Sequence, residues 1–214
     1  MDRRTVSADS HIIEPPDLWV QRIDARYRDR APRIVSEPEG DFFVCEDRKP
    51  DPVGTFVTPF FRQEPFAKRF EEGQRGGWDP DARLQDMAAD GVEAEVLYPN
   101  LAMRLYGLSD PGLQRACFQA YNDWLAEYCS AHPKQLYGIA LVSLYDVDAS
   151  VTELRRARKI GLSGAAVWAD PPEGLGFLDD RYDAFWAEAQ DLQTPVSLHT
   201  FTGRNREMND VFLA

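Results

Sequence analysis

The stretch Val6-Ser7-Ala8-Asp9-Ser10-His11-Ile12-Ile13-Glu14 places a carboxylate and an imidazole two residues apart at the end of a strand-like run. Side chains of a strand alternate between its two faces, so Asp9 and His11 are expected to point the same way. An oxygen and a nitrogen ligand at one strand end can bind a divalent metal that takes its other ligands from elsewhere in the chain. The alternative is a capped strand end, with Asp9 accepting turn amides and His11 making a hydrogen bond in the core.

A second short apolar strand, Pro195-Val196-Ser197-Leu198, is followed directly by His199. A lone histidine after an apolar strand is more often structural than a ligand. His199 becomes the third candidate metal ligand only because Asp9 and His11 offer it partners. The residues between the two strands are then scaffold that brings His199 to the first strand.

The composition is that of an ordinary globular domain. The chain has 214 residues, of which 43% are hydrophobic and 28% charged, which is enough for one sizeable core. Its formal net charge of −12 argues against nucleic acid as a partner. The one basic cluster, Arg155, Arg156, Arg158 and Lys159, fits the solvated face of a helix. A small-molecule substrate is the expected partner.

Neither a membrane nor an oxidising compartment is indicated. The longest apolar-rich run, residues 136–145, is about half of what a membrane-spanning helix requires. The first residues lead into a strand without the apolar region of a secretory signal. The three cysteines, Cys45, Cys117 and Cys129, are an odd number without CxxC spacing, which disfavours disulfides and a thiolate zinc site. A cytoplasmic location is therefore expected.

Helical and strand patterns alternate along the second half of the chain. Helices are predicted at 79–91, 109–132, 146–161 and 179–192, and strands at 92–98, 136–143, 164–168 and 195–199. Such alternation predicts an α/β fold with a parallel sheet, either an open doubly wound sheet or a closed barrel. Polar residues cluster just after the strand ends and the glycine-rich phosphate loops of nucleotide-binding sheets are absent, so a TIM-type (β/α) barrel is favoured.

Residues 20–78 are too long for an ordinary connection and too aromatic for a linker. A small hairpin is predicted from Arg33 to Cys45, turning at residues 37–40. Five phenylalanines lie among the prolines that follow: Phe56, Phe60, Phe61, Phe66 and Phe70. The segment is interpreted as an insertion after the first strand, inside a single domain spanning 1–214. It serves either as a cap or as plain packing against the barrel.

Four motifs resemble those of a known family. In order they are Asp9-Ser-His11-Ile-Ile-Glu14-Pro, Trp78-Asp-Pro-Asp-Ala-Arg83-Leu-Gln-Asp-Met87-Ala-Ala-Asp-Gly91-Val, Tyr121-Asn122-Asp-Trp124 and Pro195-Val-Ser-Leu-His199. Together they resemble the amidohydrolase-related proteins, the branch of the amidohydrolase superfamily that includes aminocarboxymuconate-semialdehyde decarboxylase and resorcylate-type decarboxylases. A lone DxH motif would be weak evidence of a relationship, but four motifs in the same order are specific to the family.

The resemblance implies a distorted eight-stranded barrel with one divalent metal, zinc or manganese, at the carboxyl ends of the strands. It implies Asp9, His11 and His199 as metal ligands, although the family's first pair is HxH or ExH and Asp9-Ser-His11 departs from both. It also implies a histidine after the sixth strand and an aspartate after the eighth. Five strands are predicted before Ala214, so the chain resembles the first part of a longer enzyme, with its catalytic residues expected beyond Ala214. A homo-oligomer is also expected, since members of the family are often dimers.

Several further residues have two interpretations each. Glu14 either orients a ligand histidine or caps the turn that follows it. Asn100 and Trp168 follow strand ends, where they could contact substrate, and Trp168 equally fits the core. Arg83 and Asp86 are expected to form a structural ion pair.

Three functions remain open from the sequence. The leading one is a metal-dependent hydrolase, in which a metal-activated water attacks a small organic substrate such as a cyclic or aromatic acid. The alternative is a non-oxidative decarboxylase of an aromatic or muconate-like acid. The third is a non-catalytic fragment that serves as a binding module.

Overall fold

The computed structural model describes residues 4–46, 48–58 and 67–202. The strands are β1 (Val6–His11), β2 (Arg33–Glu37), β3 (Gly40–Val44), β4 (Asp51–Pro52), β5 (Ala94–Tyr98), β6 (Leu136–Leu141), β7 (Gly164–Val167) and β8 (Val196–Leu198). The α-helices are α1 (Leu18–Arg22), α2 (Gly54–Val57), α3 (Pro80–Asp90), α4 (Pro111–Ser130), α5 (Val147–Lys159) and α6 (Asp183–Asp191). Short 3-10 helices cover Ala25–Arg30, Phe70–Glu72, Arg75–Gly77, Leu101–Gly107 and Asp180–Tyr182.

The main sheet has five strands among the described residues, in the order β1-β5-β6-β7-β8. The β1–β5, β6–β7 and β7–β8 pairs are parallel. Every residue of β7 is buried, as expected of a parallel strand covered on both faces. The predicted α/β class, with helices as crossovers between parallel strands, is therefore confirmed.

The chain divides into two compact units. Unit 1 comprises residues 1–101 and 127–137, and unit 2 comprises residues 102–126 and 138–214. Unit 1 contains β1, β5 and the small antiparallel sheet β2-β3-β4. The predicted hairpin is confirmed, because Arg33 lies opposite Val44 and Glu37 opposite Gly40. The interpretation of residues 20–78 as a cap stays a prediction, and Phe60, Phe61 and Phe66 lie outside the described residues.

Helix α3 of unit 1 begins and ends as its sequence predicts. The Asp79 carboxylate accepts hydrogen bonds from the amides of Asp81 and Ala82, each at 3.0 Å. Pro80 follows at the first helical position, where no amide hydrogen is needed. Gly91 ends the helix in the left-handed conformation with φ 69°.

In unit 2 a buried amide joins α4 to β6. Asn122 is fully buried, and its side-chain oxygen accepts from the Leu141 amide at 2.8 Å while its nitrogen donates to the Leu141 carbonyl at 3.0 Å. That nitrogen also donates to Glu153 at 2.7 Å, and Glu153 pairs with Arg156. Asn122 thus bonds the strand as a neighbouring backbone would, which satisfies the polar groups at the end of β6.

The predicted core role of Cys117 and Cys129 is confirmed. Both are buried, as is Cys45, and none of the three forms a disulfide. Burial raises the pKa of the Cys45 thiol to about 12. In the part of the chain that the structure describes, no helix combines the length and the apolar character needed to cross a membrane.

Candidate metal centre

The structure brings Asp9 and His11 together at the end of β1. An Asp9 carboxylate oxygen lies 3.5 Å from His11 Nε2. The strand register is irregular between Ser7 and Ser10, which lie opposite Glu95 and Leu97. Asp9 lies within that irregular segment and its side chain is 67% exposed, while the His11 side chain is 32% exposed. The two groups are therefore close enough to share one ion and accessible enough to receive it.

A backbone carbonyl fixes the tautomer of His11. Its Nδ1 lies 2.7 Å from the carbonyl oxygen of Pro99. Because a carbonyl oxygen only accepts, Nδ1 must carry the hydrogen and donate it. In the neutral ring the lone pair is then on Nε2, the nitrogen that faces Asp9. Metal-binding histidines have this arrangement, with one nitrogen on the metal and the other donating to a carbonyl or carboxylate.

The backbone of His11 is held by two further hydrogen bonds. The amide that follows it, at Ile12, donates to the Tyr98 carbonyl at 3.0 Å. The carbonyl of His11 accepts from Arg83 at 2.9 Å. The same guanidinium pairs with Glu95, which differs from the expected partner Asp86. The expectation failed because Glu95 lies on the neighbouring strand β5, a proximity that sequence distance does not reveal.

Glu14 and Asn100 bond to the loop that follows β5. Glu14 is fully buried, and its two carboxylate oxygens accept from the amides of Asn100 at 3.1 Å and Leu101 at 2.9 Å. Glu14 therefore caps the turn that begins at Leu101, whereas the sequence suggested a cap of the turn that directly follows Glu14. The Asn100 side chain donates to the Phe56 carbonyl at 2.7 Å and so ties this loop to α2. The expected substrate contact of Asn100 stays a prediction.

His199 in unit 2 has the same tautomer as His11. It follows the last residue of β8, and its Nδ1 lies 2.7 Å from the Thr200 carbonyl oxygen. Nδ1 is again the donor, so the lone pair is on Nε2. The hydroxyl of Thr202, a residue that is 1% exposed, donates to the His199 carbonyl at 2.5 Å and accepts from the Ala169 amide at 2.9 Å. The loop after β8 is thereby fixed to the end of β7.

Trp168 follows β7 as His199 follows β8. The last residues of the two strands, Val167 and Leu198, are register partners. Trp168 is 1% exposed and its ring lies edge-on to Tyr145, with the centroids 4.9 Å apart. Its indole nitrogen makes no hydrogen bond within the described ranges. A core position is therefore established for Trp168, and its contact with substrate stays a prediction.

The three candidate ligands have the donor atoms that a divalent metal needs. Asp9 and His11 of unit 1 offer a carboxylate oxygen and an Nε2 that lie 3.5 Å apart, and His199 of unit 2 offers a further Nε2. Two imidazoles and a carboxylate form a donor set that zinc and manganese both accept. The tautomers of both histidines leave Nε2 as the ligand atom. The donor chemistry therefore fits one divalent ion.

A family profile described as amidohydrolase matches residues 9–214. The chain belongs to the amidohydrolase family. The predicted resemblance to this superfamily is therefore confirmed.

Two curated relatives of this amidohydrolase-family chain are decarboxylases. It is 34% identical over 125 residues to gamma-resorcylate decarboxylase of Rhizobium radiobacter, which covers 56% of this chain and 38% of the relative. It is 28% identical over 142 residues to 2-amino-3-carboxymuconate-6-semialdehyde decarboxylase of Dictyostelium discoideum, which covers 65% of this chain and 39% of the relative. The chain thus spans about two fifths of the length of these relatives.

Solved structures establish the fold of this amidohydrolase-family chain. An amidohydrolase from Mycobacterium avium subsp. paratuberculosis K-10 matches with a TM-score of 0.77 at 19% identity, over 100% of this chain and 63% of that one. A 5-carboxyvanillate decarboxylase from Novosphingobium aromaticivorans, solved with bound manganese, matches with a TM-score of 0.62 at 18% identity, over 98% of this chain and 55% of that one. The predicted TIM-type barrel, represented here by five strands, is confirmed. The expected homo-oligomer stays a prediction.

Sequence reasoning missed the groups that orient the two histidines. Pro99 and Thr200 act through backbone carbonyls, which every residue carries, so their residue types give no signal. Thr202 acts through its side chain, but a threonine three residues after a strand-end histidine is unremarkable without the structure. Short-range hydrogen bonds of this kind depend on loop conformation, which residue spacing does not specify.

Proposed function

We propose that this amidohydrolase-family chain holds one divalent metal through Asp9, His11 and His199, and that the metal serves the non-oxidative decarboxylation of an aromatic acid. The main support is that both histidines donate Nδ1–H to a backbone carbonyl, at 2.7 Å each. In two separate loops, these bonds leave the lone pair of each ring on Nε2, where it can bind a metal. Two histidines that only pack in the core would not need to have the same tautomer.

Decarboxylation is favoured over hydrolysis, the leading expectation from the sequence. The curated relatives named above are decarboxylases of carboxylated substrates. A relative solved with manganese and 2-nitroresorcinol, from Polaromonas sp. JS666, is a dihydroxybenzoic acid decarboxylase. The first motif, Asp9-Ser-His11, begins with a carboxylate and so resembles ExH more than HxH. ExH occurs in some decarboxylases of the family. Hydrolysis is supported only by the match to the amidohydrolase family as a whole.

The charges of the ligands suit an anionic substrate. When bound, a divalent metal would supply a positive centre that draws in the oxygens of the substrate. Asp9 contributes one negative charge and the two neutral imidazoles none, so the ligand set leaves part of that positive charge uncompensated. An aromatic carboxylate with a neighbouring hydroxyl can therefore bind there, even though the chain as a whole carries a formal charge of −12.

Metal uptake is the first experiment. The metal-free chain is supplied with manganese or zinc, separated from excess ion, and its metal content is measured by mass spectrometry. We expect about one ion per chain for the native sequence, and a large loss for His11→Ala and for His199→Ala. His132→Ala is the matched control, because His132 is the remaining histidine of the sequence and pairs with Asp81 at 2.8 Å.

The outcomes separate the three functions. Equal metal content in all three variants, or none in the native chain, would contradict the metal site and favour a binding module. Because catalytic residues are expected beyond Ala214, this chain alone is expected to turn over little, so the activity assay uses metal-loaded protein that includes them. Release of CO2 from 2,6-dihydroxybenzoate by that protein, lost in His11→Ala, is the result expected of a decarboxylase. Hydrolysis of esters or amides of the same acids without CO2 release would instead support the hydrolase.

A further inference from the structure

Glu14 and His11 bond to opposite sides of one peptide group. Asn100 N–H donates to Glu14 at 3.1 Å, and the carbonyl of the same peptide unit, that of Pro99, accepts from His11 Nδ1 at 2.7 Å. A peptide unit is planar and rigid, so fixing its N–H fixes the direction of its C=O. The second oxygen of Glu14 accepts from the Leu101 amide at 2.9 Å, which stops the carboxylate from rotating.

We propose that Glu14 is a positioning residue for His11, acting through the Pro99–Asn100 peptide. A carboxylate that orients a metal-binding histidine usually accepts the hydrogen of the ring directly. Here a peptide group is interposed between the two. The inference rests on the proposed function, since His11 is taken as a metal ligand.

The interposed peptide transmits orientation and polarity. A hydrogen bond from an amide to an ionised carboxylate is stronger than one to a neutral acceptor. It polarises the peptide, which makes the Pro99 carbonyl oxygen a better acceptor for the His11 hydrogen. That bond in turn keeps the lone pair on Nε2 and raises its basicity. Because Glu14 is fully buried, water does not compete for these bonds.

A purely structural cap predicts something different. If Glu14 only stabilises the turn at residues 101–107, its loss lowers the free energy of unfolding but leaves the ring of His11 unchanged in the molecules that remain folded. If Glu14 positions His11, its loss changes the tautomer and the metal affinity of folded molecules. The two roles are therefore separable by measurements on the folded state.

Glu14→Gln is the decisive variant, with Glu153→Gln as its matched control. Glutamine keeps the shape of Glu14 but offers one accepting oxygen where two amides donate. Glu153 is 4% exposed and also accepts from a side-chain amide and a guanidinium, but it makes these bonds in unit 2 and not to the loop that holds His11. Both variants lose one buried carboxylate charge, so a general effect of that loss appears in both.

Two readouts are expected to separate the variants. In the metal-free chain, the ring nitrogen shifts of His11 in NMR spectra should move from the Nδ1–H tautomer towards a mixture in Glu14→Gln, while those of His199 stay unchanged. The dissociation constant for zinc should rise about tenfold or more in Glu14→Gln, and by less than about twofold in Glu153→Gln. Unchanged His11 shifts and unchanged zinc affinity in a folded Glu14→Gln chain would overturn the inference.

A measurement on the native chain covers the case in which Glu14→Gln does not fold. Zinc binding at Nε2 should strengthen the Nδ1–H bond to Pro99 and slow hydrogen exchange at the amides of Asn100 and Leu101. The Ala149 amide, which donates to the Asp146 carboxylate at 3.0 Å, should not respond. No change at the first two amides while zinc binds would overturn the inference. If the native chain binds no zinc, the proposed function fails, and the metal-free tautomer of His11 still tests Glu14.

Discussion

The guanidinium of Arg83 lies 2.5 Å from the carboxylate of Glu95, and only 14% and 11% of the two side chains are exposed. Arg83 also donates to the carbonyl of His11. One ion pair therefore connects α3, β5 and the end of β1, where Asp9 and His11 lie. Breaking a buried pair leaves an uncompensated charge in a poorly hydrated site, which costs more than the pair contributes.

Arg83→Lys should therefore destabilise the chain. Lysine keeps the charge but cannot bond Glu95 and the His11 carbonyl with one planar group. We expect the free energy of unfolding to fall by about 1–3 kcal/mol, because a buried acceptor loses the donor that the guanidinium supplied, as measured by urea denaturation. Arg22→Lys is the control, because the Arg22–Glu127 pair is more exposed, at 33% and 64%, and should cost less than about 1 kcal/mol. Equal losses in the two variants would contradict the buried role of Arg83.

Asp41 should make the stability of unit 1 depend on acid. Burial raises its pKa, but hydrogen bonds from the Phe70 amide, Ser36 and Arg69 outweigh burial and hold the pKa below its ordinary value. A carboxyl whose pKa is lower in the folded state stabilises the fold above its unfolded pKa of about 3.9. That contribution is lost as the pH falls from there through the folded pKa.

The variant Asp41→Asn tests this contribution. It should lower the free energy of unfolding at pH 7 and flatten its decline between about pH 5 and pH 2, as followed by urea denaturation at a series of pH values. Parallel curves for the native chain and the variant, offset by a constant amount over that range, would show that Asp41 does not titrate differently on folding.

The sequence predicted the regular elements well because their signals are local. The periodicity of apolar residues and the caps at Asp79 and Gly91 depend on neighbours within a few positions, so α3 could be bounded almost to the residue. The ligand candidates Asp9 and His11 were also recognisable, since a carboxylate and an imidazole two residues apart at a strand end are visible in the sequence itself.

What the sequence left open depends on long-range geometry. The 3-10 helix Leu101–Gly107 was not predicted, because it is stabilised by Glu14, a residue 87 positions before Leu101. Arg83 was paired with Asp86 on the same helix, whereas the sheet brings Glu95 within reach. The hydrogen bond from His11 to the Pro99 carbonyl likewise depends on the conformation of a loop.

Gly91→Ala should cost about 1 kcal/mol of unfolding free energy. Gly91 has φ 69°, a conformation that strains residues with a Cβ atom, and an added Cβ would meet nothing within 4 Å. The cost is therefore one of backbone conformation alone. Gly176→Ala is the matched control, since Gly176 also has open space but no positive φ. Thermal or urea denaturation measures both, and an equal effect would contradict the role of the left-handed cap.

The thiols should report on unfolding. Cys45, Cys117 and Cys129 are all buried, and burial raises the pKa of Cys45 to about 12, so at pH 8 it is almost entirely in the unreactive thiol form. We expect the folded chain to react with an aromatic disulfide reagent far more slowly than the unfolded chain. In the unfolded chain all three thiols should react together. Rapid reaction of one thiol under native conditions would reveal local opening around that residue.

Thr202→Val should weaken metal binding through His199 without unfolding the chain. Valine keeps the shape of threonine, but its side chain cannot donate to the His199 carbonyl or accept from the Ala169 amide. The backbone amide of residue 202 then remains as a donor to the His199 carbonyl, at 3.3 Å. A looser loop lets the Thr200 carbonyl move away from His199 Nδ1, so the tautomer with its lone pair on Nε2 is less strongly favoured. We expect a rise in the zinc dissociation constant of about tenfold, measured by calorimetry.

The conservative variant decides whether the hydroxyl of Thr202 or only its packing matters. Thr202→Ser keeps the hydroxyl and loses a methyl group, so it should bind zinc nearly as well as the native chain although it is somewhat less stable. In Thr202→Val the ring shifts of His199 should change and those of His11 should not, which is the reverse of the pattern expected for Glu14→Gln. If serine and valine weaken zinc binding equally, the hydroxyl does not position His199, because packing is then the property that both variants have altered.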